Sequence, residues 1–177
     1  MPTLVELQEE IHAALLKVPF DRHLGVVIER DPRSGEVRIS IPPRPEIVGP
    51  DGQHSAAAVF ALGDIVSSMV VCEQIAQRAL ELDMGAIFFT VEARFRCHGP
   101  ARGTIAASAS LLRGLDEAVG KPNKARKATI EVGAKVVGED GELAGEHRMS
   151  FYVRLMDVSR VREMVPASSE IFRIHGL

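Results

Sequence analysis

Apolar positions along the chain recur with two different periods. Near the start they fall at Leu4, Leu7, Ile11, Leu15 and Val18, the spacing of one helix face. Thr3 with Glu6 three residues later offers a capping box, and Pro19 is expected to end this helix. The period then changes to two. Val26-Val27-Ile28 predicts a short strand, and Asp31-Pro32-Arg33-Ser34-Gly35 is a turn-rich cluster. Val37, Ile39 and Ile41 alternate with Arg38 and Ser40, which predicts a half-buried second strand. Pro42-Pro43-Arg44-Pro45 cannot continue a ladder, so a loop is expected as far as Gln53 or His54.

The long apolar segment from Ala56 to about Leu82 predicts a helix, because a strand of that length is rare. Its opening, Ala56-Ala57-Ala58-Val59-Phe60-Ala61-Leu62, is apolar on every side, whereas Glu73 to Leu80 is amphipathic. A helix of the first kind has to be wrapped in protein. Four alternating runs follow. Ile87, Phe89, Val91, Ala93 and Phe95 are expected to share one face of a strand. Ile105, Ala107, Ala109 and Leu111 mark the next strand, and Ala128, Ile130, Val132, Ala134 and Val136 the one after. Asp140-Gly141 signals a hairpin into a last strand with His147, Met149, Phe151 and Val153 on one side. Val158, Val161, Met164 and Val165 form a short helical pattern that Pro166 breaks. Segregated helices and antiparallel strands make an α+β domain, expected over residues 1–155, with a C-terminal extension over residues 156–177.

Composition narrows the function classes. The 177 residues are 46% hydrophobic and 25% charged, ordinary for a globular domain. Twenty-one basic against 24 acidic residues give a net charge of −3. That balance gives no reason to expect nucleic acid as a partner, which would need a clustered basic face. Cys72 and Cys97 stand far apart without CxxC or His spacing, so free buried thiols are expected rather than a disulfide or zinc site. No basic n-region and apolar h-region open the chain. The apolar run from Ser55 to Cys72 is interrupted by Asp64, Ser67 and Ser68 and falls short of the ~20 residues of a membrane span. A cytoplasmic protein is the expectation.

Asp64 is the residue that demands an explanation. It is the only charge between Asp51 and Glu73, in the helical section expected to be most buried. An ionised carboxylate there costs several kcal/mol unless paired, and no cation lies three or four residues away. Gly63 beside it costs about 1 kcal/mol relative to Ala in a helix interior, which suggests close approach of some group. Ser67 and Ser68 fall at i+3 and i+4, near the Asp64 face. Alternatively, Asp64 faces a wet groove or a subunit boundary, or hydrogen-bonds its own turn. At the helix start, free N–H groups around Ala56 could receive an oxyanion. Ser55 reads as an N-cap or a site residue, and His54 as an exposed loop residue or a site residue. Asp64 lies eight residues beyond Ala56, about 12 Å along an ideal helix axis. No His/Asp/Glu set has metal-ligand spacing, and Gly-x-Ser-x-Gly is absent.

The segment His54-Ser55-Ala56-Ala57-Ala58-Val59-Phe60-Ala61-Leu62-Gly63-Asp64 resembles the "HGG…LAD" helix start of hotdog-fold acyl-CoA thioesterases, nearest the PaaI-like, phenylacetate-degradation type. Thr90-Val91-Glu92-Ala93-Arg94-Phe95, Gly99-Pro100-Ala101-Arg102-Gly103 and Asp140-Gly141-Glu142-Leu143-Ala144 carry the likeness on, over roughly Phe20 to Arg154. The resemblance implies a hotdog fold, a long helix wrapped by a curved antiparallel sheet. It implies a homodimer or dimer of dimers with sites at the subunit boundary. It implies thioester hydrolysis without cofactor or metal. Asp64 aligns with the family's carboxylate, which activates water as a base or attacks the thioester directly as nucleophile, Ala56 with its oxyanion N–H, and Thr90 with a hydroxyl supplied by the partner chain. His54, Ser55 and Ser68 complete the candidate set, with Lys121, Lys124 and Arg126 as candidates for CoA phosphates and Arg94, Arg96 and Arg102 as a second basic stretch. The chain departs from the motif at the helix start, where Ser55 replaces the family histidine and Ala56-Ala57 its glycine pair. A hotdog domain that binds acyl-CoA without turnover, or serves in protein interaction, therefore stays open beside the hydrolase; a hotdog dehydratase is disfavoured.

Overall fold

Pro19 opens a helix. In the computed structural model, which describes residues 13, 17–30, 37–82, 84–114, 127–157 and 159–160, Val18 is extended and helix α1 (Pro19–Leu24) begins at the proline. A residue before proline is pushed out of the helical region, while proline itself suits the first turn, where its missing N–H is not needed. Gly25 ends α1 with φ 71°, its N–H bonded to the Arg22 carbonyl at 3.1 Å. The helix expected over residues 3–18, the tail past residue 160, and Lys121, Lys124 and Arg126 lie outside the described residues.

Strands β1 (Val27–Arg30) and β2 (Val37–Ile41) follow, then the long helix α2 (Ala56–Leu82). Strands β3 (Gly85–Cys97), β4 (Ile105–Arg113), β5 (Lys127–Val137) and β6 (Leu143–Met156) complete the order. All pairings are antiparallel, in one sheet ordered β1-β2-β4-β5-β6-β3. The α+β architecture expected from the patterns is thus present, with the sheet wrapped on α2. The first half of α2 packs Val59, Leu62, Ile65 and Val66 into one cluster with Ile39, Ile41 and Ile105. Farther along, Val71 and Ile75 join Ile130, Val132, Met149, Phe151 and Val153. Residues Ala56–Ala79 reach the length and apolarity of a membrane span, 24 residues at mean hydropathy 1.7, contrary to the expectation that this run is too short. Here that apolarity is matched by the sheet, as in the core helix of an ordinary domain.

The face expected for β3 is corrected by a bulge. Between Thr90 and Glu92 the register against β6 shifts by one residue. An extra residue reverses the alternation. Phe95 therefore turns under the helix against Phe60 and His147, while Phe89 stacks on Tyr152 and stays 53% exposed. Val91, at the bulge, is equally exposed. The two cysteines are free, as expected, but only Cys72 is partly covered; Cys97 is exposed. Burial pushes the Cys72 thiol up to about 12.

Candidate active site

Helical geometry sorts the residues around Asp64. Gly63, Val59, Leu62 and Val66 are buried against the sheet. Ala57, Asp64 and Ser68, at i, i+7 and i+11, share the opposite stripe, which is the least covered one. Asp64 is half-buried, with no ion pair or hydrogen bond to its carboxylate among the described residues. Burial pushes its carboxyl above the ordinary carboxylate range, because taking the charged form out of water is unfavourable. Ser68 lies one turn beyond it. Ser67 does not share that stripe: it is fully buried, and its hydroxyl donates to the Gly63 carbonyl at 2.7 Å.

The close approach expected at Gly63 is made by His147. A Cβ on Gly63 would fall within the His147 ring. His147 is 4% exposed, and neither ring nitrogen has a hydrogen-bond partner among the described residues. Burial pushes its pKa down, with the Val59 backbone opposing, so the ring is neutral at pH 7. The glycine is thus explained by core packing rather than by a ligand.

The helix start is regular. Ser55 caps it, its Oγ accepting from the Ala58 N–H at 3.2 Å. The Ala58 and Val59 N–H groups both reach the Ser55 carbonyl. Ala56 and Ala57 are exposed, and first-turn N–H groups have no intrahelical acceptor. His54 is not the exposed loop residue that was one expectation for it. It is 6% exposed, and its Nε2–H donates to the Gly103 carbonyl at 2.8 Å, while its backbone N–H donates to Ala101 at 2.7 Å. These bonds tie the loop before α2 to the β3–β4 connection. Gly103 accepts this arrangement with φ +63° and no room for a Cβ beside Glu139.

Thr90 lies on edge strand β3, paired with Phe151 and exposed. No hydrogen bond joins it to Asp64 within the chain among the described residues. Arg94 and Arg96 belong elsewhere. With Ser108, Ser110, Lys135 and Arg148 they line an open groove of about 540 Å³ on the exposed positions of the sheet, which face away from α2. Arg94 is paired with Glu92 and Arg148 with Glu131. Arg102 is exposed in the loop bridged to Gln53.

Asp21 escaped the sequence patterns. It sits on α1 and is only 6% exposed. Its carboxyl is pushed up to about 6, first by burial and then by the charge of Asp64. The signal available in the sequence was faint: an acid one residue after Phe20, where either could face inward.

No protein-family model and no curated protein matches the sequence. Solved structures do match in shape. A mutant thioesterase from Pseudomonas aeruginosa is 16% identical and superposes with a TM-score of 0.61, over 88% of this chain and 96% of that one. A phenylacetic acid degradation-related protein from Ralstonia eutropha is 21% identical, with a TM-score of 0.55 over 81% of this chain and 98% of that one. A Bacillus halodurans protein solved with CoA is 19% identical, with a TM-score of 0.57 over 84% and 91%. At such identities the likeness is one of fold, and it agrees with the helix-in-sheet topology: the chain has the hotdog fold of the thioesterase-superfamily structures.

Proposed function

We propose that the protein is an acyl-CoA thioesterase in which Asp64 is the general base. The observation that carries this reading is the carboxylate itself, half-buried at mid-helix with no cation pairing it among the described residues. A structural acid is ordinarily paired or hydrogen-bonded when buried; a base has to keep its lone pairs for a proton. In the proposed reaction Asp64 takes a proton from water as the water oxygen bonds to the thioester carbon. The carbonyl oxygen gains negative charge and is stabilised by the Ala56 N–H at a helix start. Collapse breaks the C–S bond, and the sulfur leaves with the proton from Asp64. The CoA found in the Bacillus halodurans structure supports the choice of carrier.

A second subunit is part of this reading. Ala56 and Asp64 are about 12 Å apart along one helix, too far to hold a single carbonyl and its water between them. The β3 edge, with Phe89 and Val91 each 53% exposed beside Thr90, offers unpaired backbone groups that require cover. We infer a homodimer, or a dimer of dimers, in which the Ala56 N–H and the Asp64 carboxylate that serve one thioester come from different copies, and Thr90 of one copy serves the site of another. Light scattering is expected to give at least twice the 19.2 kDa chain mass; a monomer at working concentration removes the shared site.

One observation favours the non-catalytic alternative. His54 is committed to Gly103, and Ala56-Ala57 leave less room at the helix start than glycines would. Turnover of a panel of short, long and aryl acyl-CoA esters is the decisive experiment. Hydrolysis of any above the uncatalysed rate supports the enzyme; binding of CoA esters with no turnover across the panel supports the alternative.

A further inference from the structure

The outer face of the sheet, turned away from α2, carries a like-charge pair that the fold does not require. Arg94 on β3 stands directly opposite Arg148 on β6. Like charges in that position repel, and both side chains are largely exposed, at 76% and 63%. The next row along the strands adds two more cations. Lys135 on β5 is in register with Glu146 on β6, and Glu146 with Arg96 on β3. Two adjacent rows thus hold four cations and one carboxylate. That carboxylate is drawn aside, since Glu146 accepts from His98 Nε2 at 2.9 Å. The counter-charges of the arginine pair sit at one end. Arg94 reaches Glu92 at 2.7 Å and Arg148 reaches Glu131 at 2.8 Å, both in the row of Ser150. The Arg96 and Lys135 side chains have no ion pair or hydrogen bond among the described residues.

Between these long side chains the floor is low. Ser108 and Ser110 on β4 lie beside Lys135 and Gly133 of β5, so hydroxyls and bare backbone stand where bulk would be expected. Leu112, 52% exposed, leans over one side of Gly133, its methyl carbons 3.4 Å from where a Cβ would stand. The open groove of about 540 Å³ so formed is in the size range of small-molecule sites.

We propose that this groove binds a diphosphate group, at a site separate from the thioester site on α2. Guanidinium forks and an ammonium group match phosphate oxygens, and the serine hydroxyls add donors. Strands lie about 4.8 Å apart, so the four cations can converge on one compact, multiply charged anion. A monocarboxylate would neutralise only one of them. Bound there, a diphosphate relieves the repulsion between Arg94 and Arg148. The present partners of these arginines form surface ion pairs, which contribute little and are readily exchanged for a stronger acceptor. A nucleic acid strand fits poorly, because the chain carries a net charge of −3 and Glu92 and Glu131 close one end of the groove. Neither the groove nor its ligand class depends on turnover at Asp64.

The experiment is a titration of the full chain with inorganic pyrophosphate, and separately with ADP, at low ionic strength, read by calorimetry and amide NMR. One saturable site per chain is expected, with the largest amide shifts at Ser108, Ser110 and Lys135. Arg96→Gln and Lys135→Gln are each expected to weaken binding about tenfold, the loss of one hydrogen bond between charged groups. Ser110→Leu, which raises the floor without a change of charge, is expected to abolish it. Arg22→Gln, which removes a cation exposed on α1, is expected to leave it unchanged. All four positions are exposed, so the fold should persist, and an unshifted melting temperature checks this. ADP binding at least as tightly as pyrophosphate assigns the group to a nucleoside diphosphate; binding of pyrophosphate alone assigns it to the free anion. No saturable binding of either overturns the proposal. Binding that Arg22→Gln weakens as much as the groove variants, or that Ser110→Leu leaves intact, is diffuse attraction to surface cations and also overturns it. So does an assembly that the groove variants split, which would put a second copy of the chain on this face.

Discussion

Asp64→Asn is expected to lower kcat/KM for thioester hydrolysis by about 10²–10⁴-fold, the usual contribution of a positioned acid or base, with the fold unchanged. Asn has the shape of Asp but cannot accept the proton of water. The fold should survive because the carboxylate makes no ion pair or hydrogen bond among the described residues that the amide would break. Its half-buried position raises its pKa, so folding leaves it a stability cost rather than a gain. That cost is absent below the unfolded pKa and grows as pH rises through the folded one. The Asn variant is therefore expected to melt at or above the wild-type temperature at pH 8. Full wild-type turnover by Asp64→Asn would remove Asp64 from the chemistry. A collapse in melting temperature would show that the carboxylate is structural.

Gly63→Ala is expected to be the most damaging small substitution in α2. On an exposed helix it would stabilise by about 1 kcal/mol. Here the added methyl would occupy the His147 ring. That ring is packed between Phe60 and Phe95, with centroids 5.4 and 4.7 Å away, so it has little freedom to withdraw. Overpacking of this kind costs about 1–3 kcal/mol and sometimes more. Urea unfolding should show the loss, and Gly63→Ala with His147→Ala should recover much of it. Failure of the double variant to recover would place the cause in something other than the ring. In the sequence, the helix penalty at Gly63 and the lone charge of Asp64 stand together as one feature. The structure separates them, because consecutive helix positions lie about 100° apart and one faces the sheet while the other faces away.

How far the sequence could be read depended on how local each signal was. Strand β5 and the hairpin into β6 were legible because alternation and Asp140-Gly141 depend on neighbours alone; His147, Met149, Phe151 and Val153 are all buried as expected. Helix α2 was legible to both ends from its apolar length and the cap before it. Strand β3 was misread in its faces, since a one-residue bulge leaves no mark in an alternating run yet reverses everything beyond it. His54 also needed the fold. Its acceptor is the carbonyl of Gly103, 49 residues away.

By itself the sequence determined the element order, the α+β class, the wrapped helix and the lack of any cation three or four residues from Asp64. These follow from periodicity and from charge spacing, which operate over a few residues. Only the tertiary structure decided what surrounds the helix at Asp64. The His147 ring comes to Gly63 from strand β6, and Asp21 is buried while its neighbour Phe20 is exposed. Such juxtapositions are products of chain closure over long loops. They depend on packing among distant segments, for which neither hydropathy nor local propensity carries a signal.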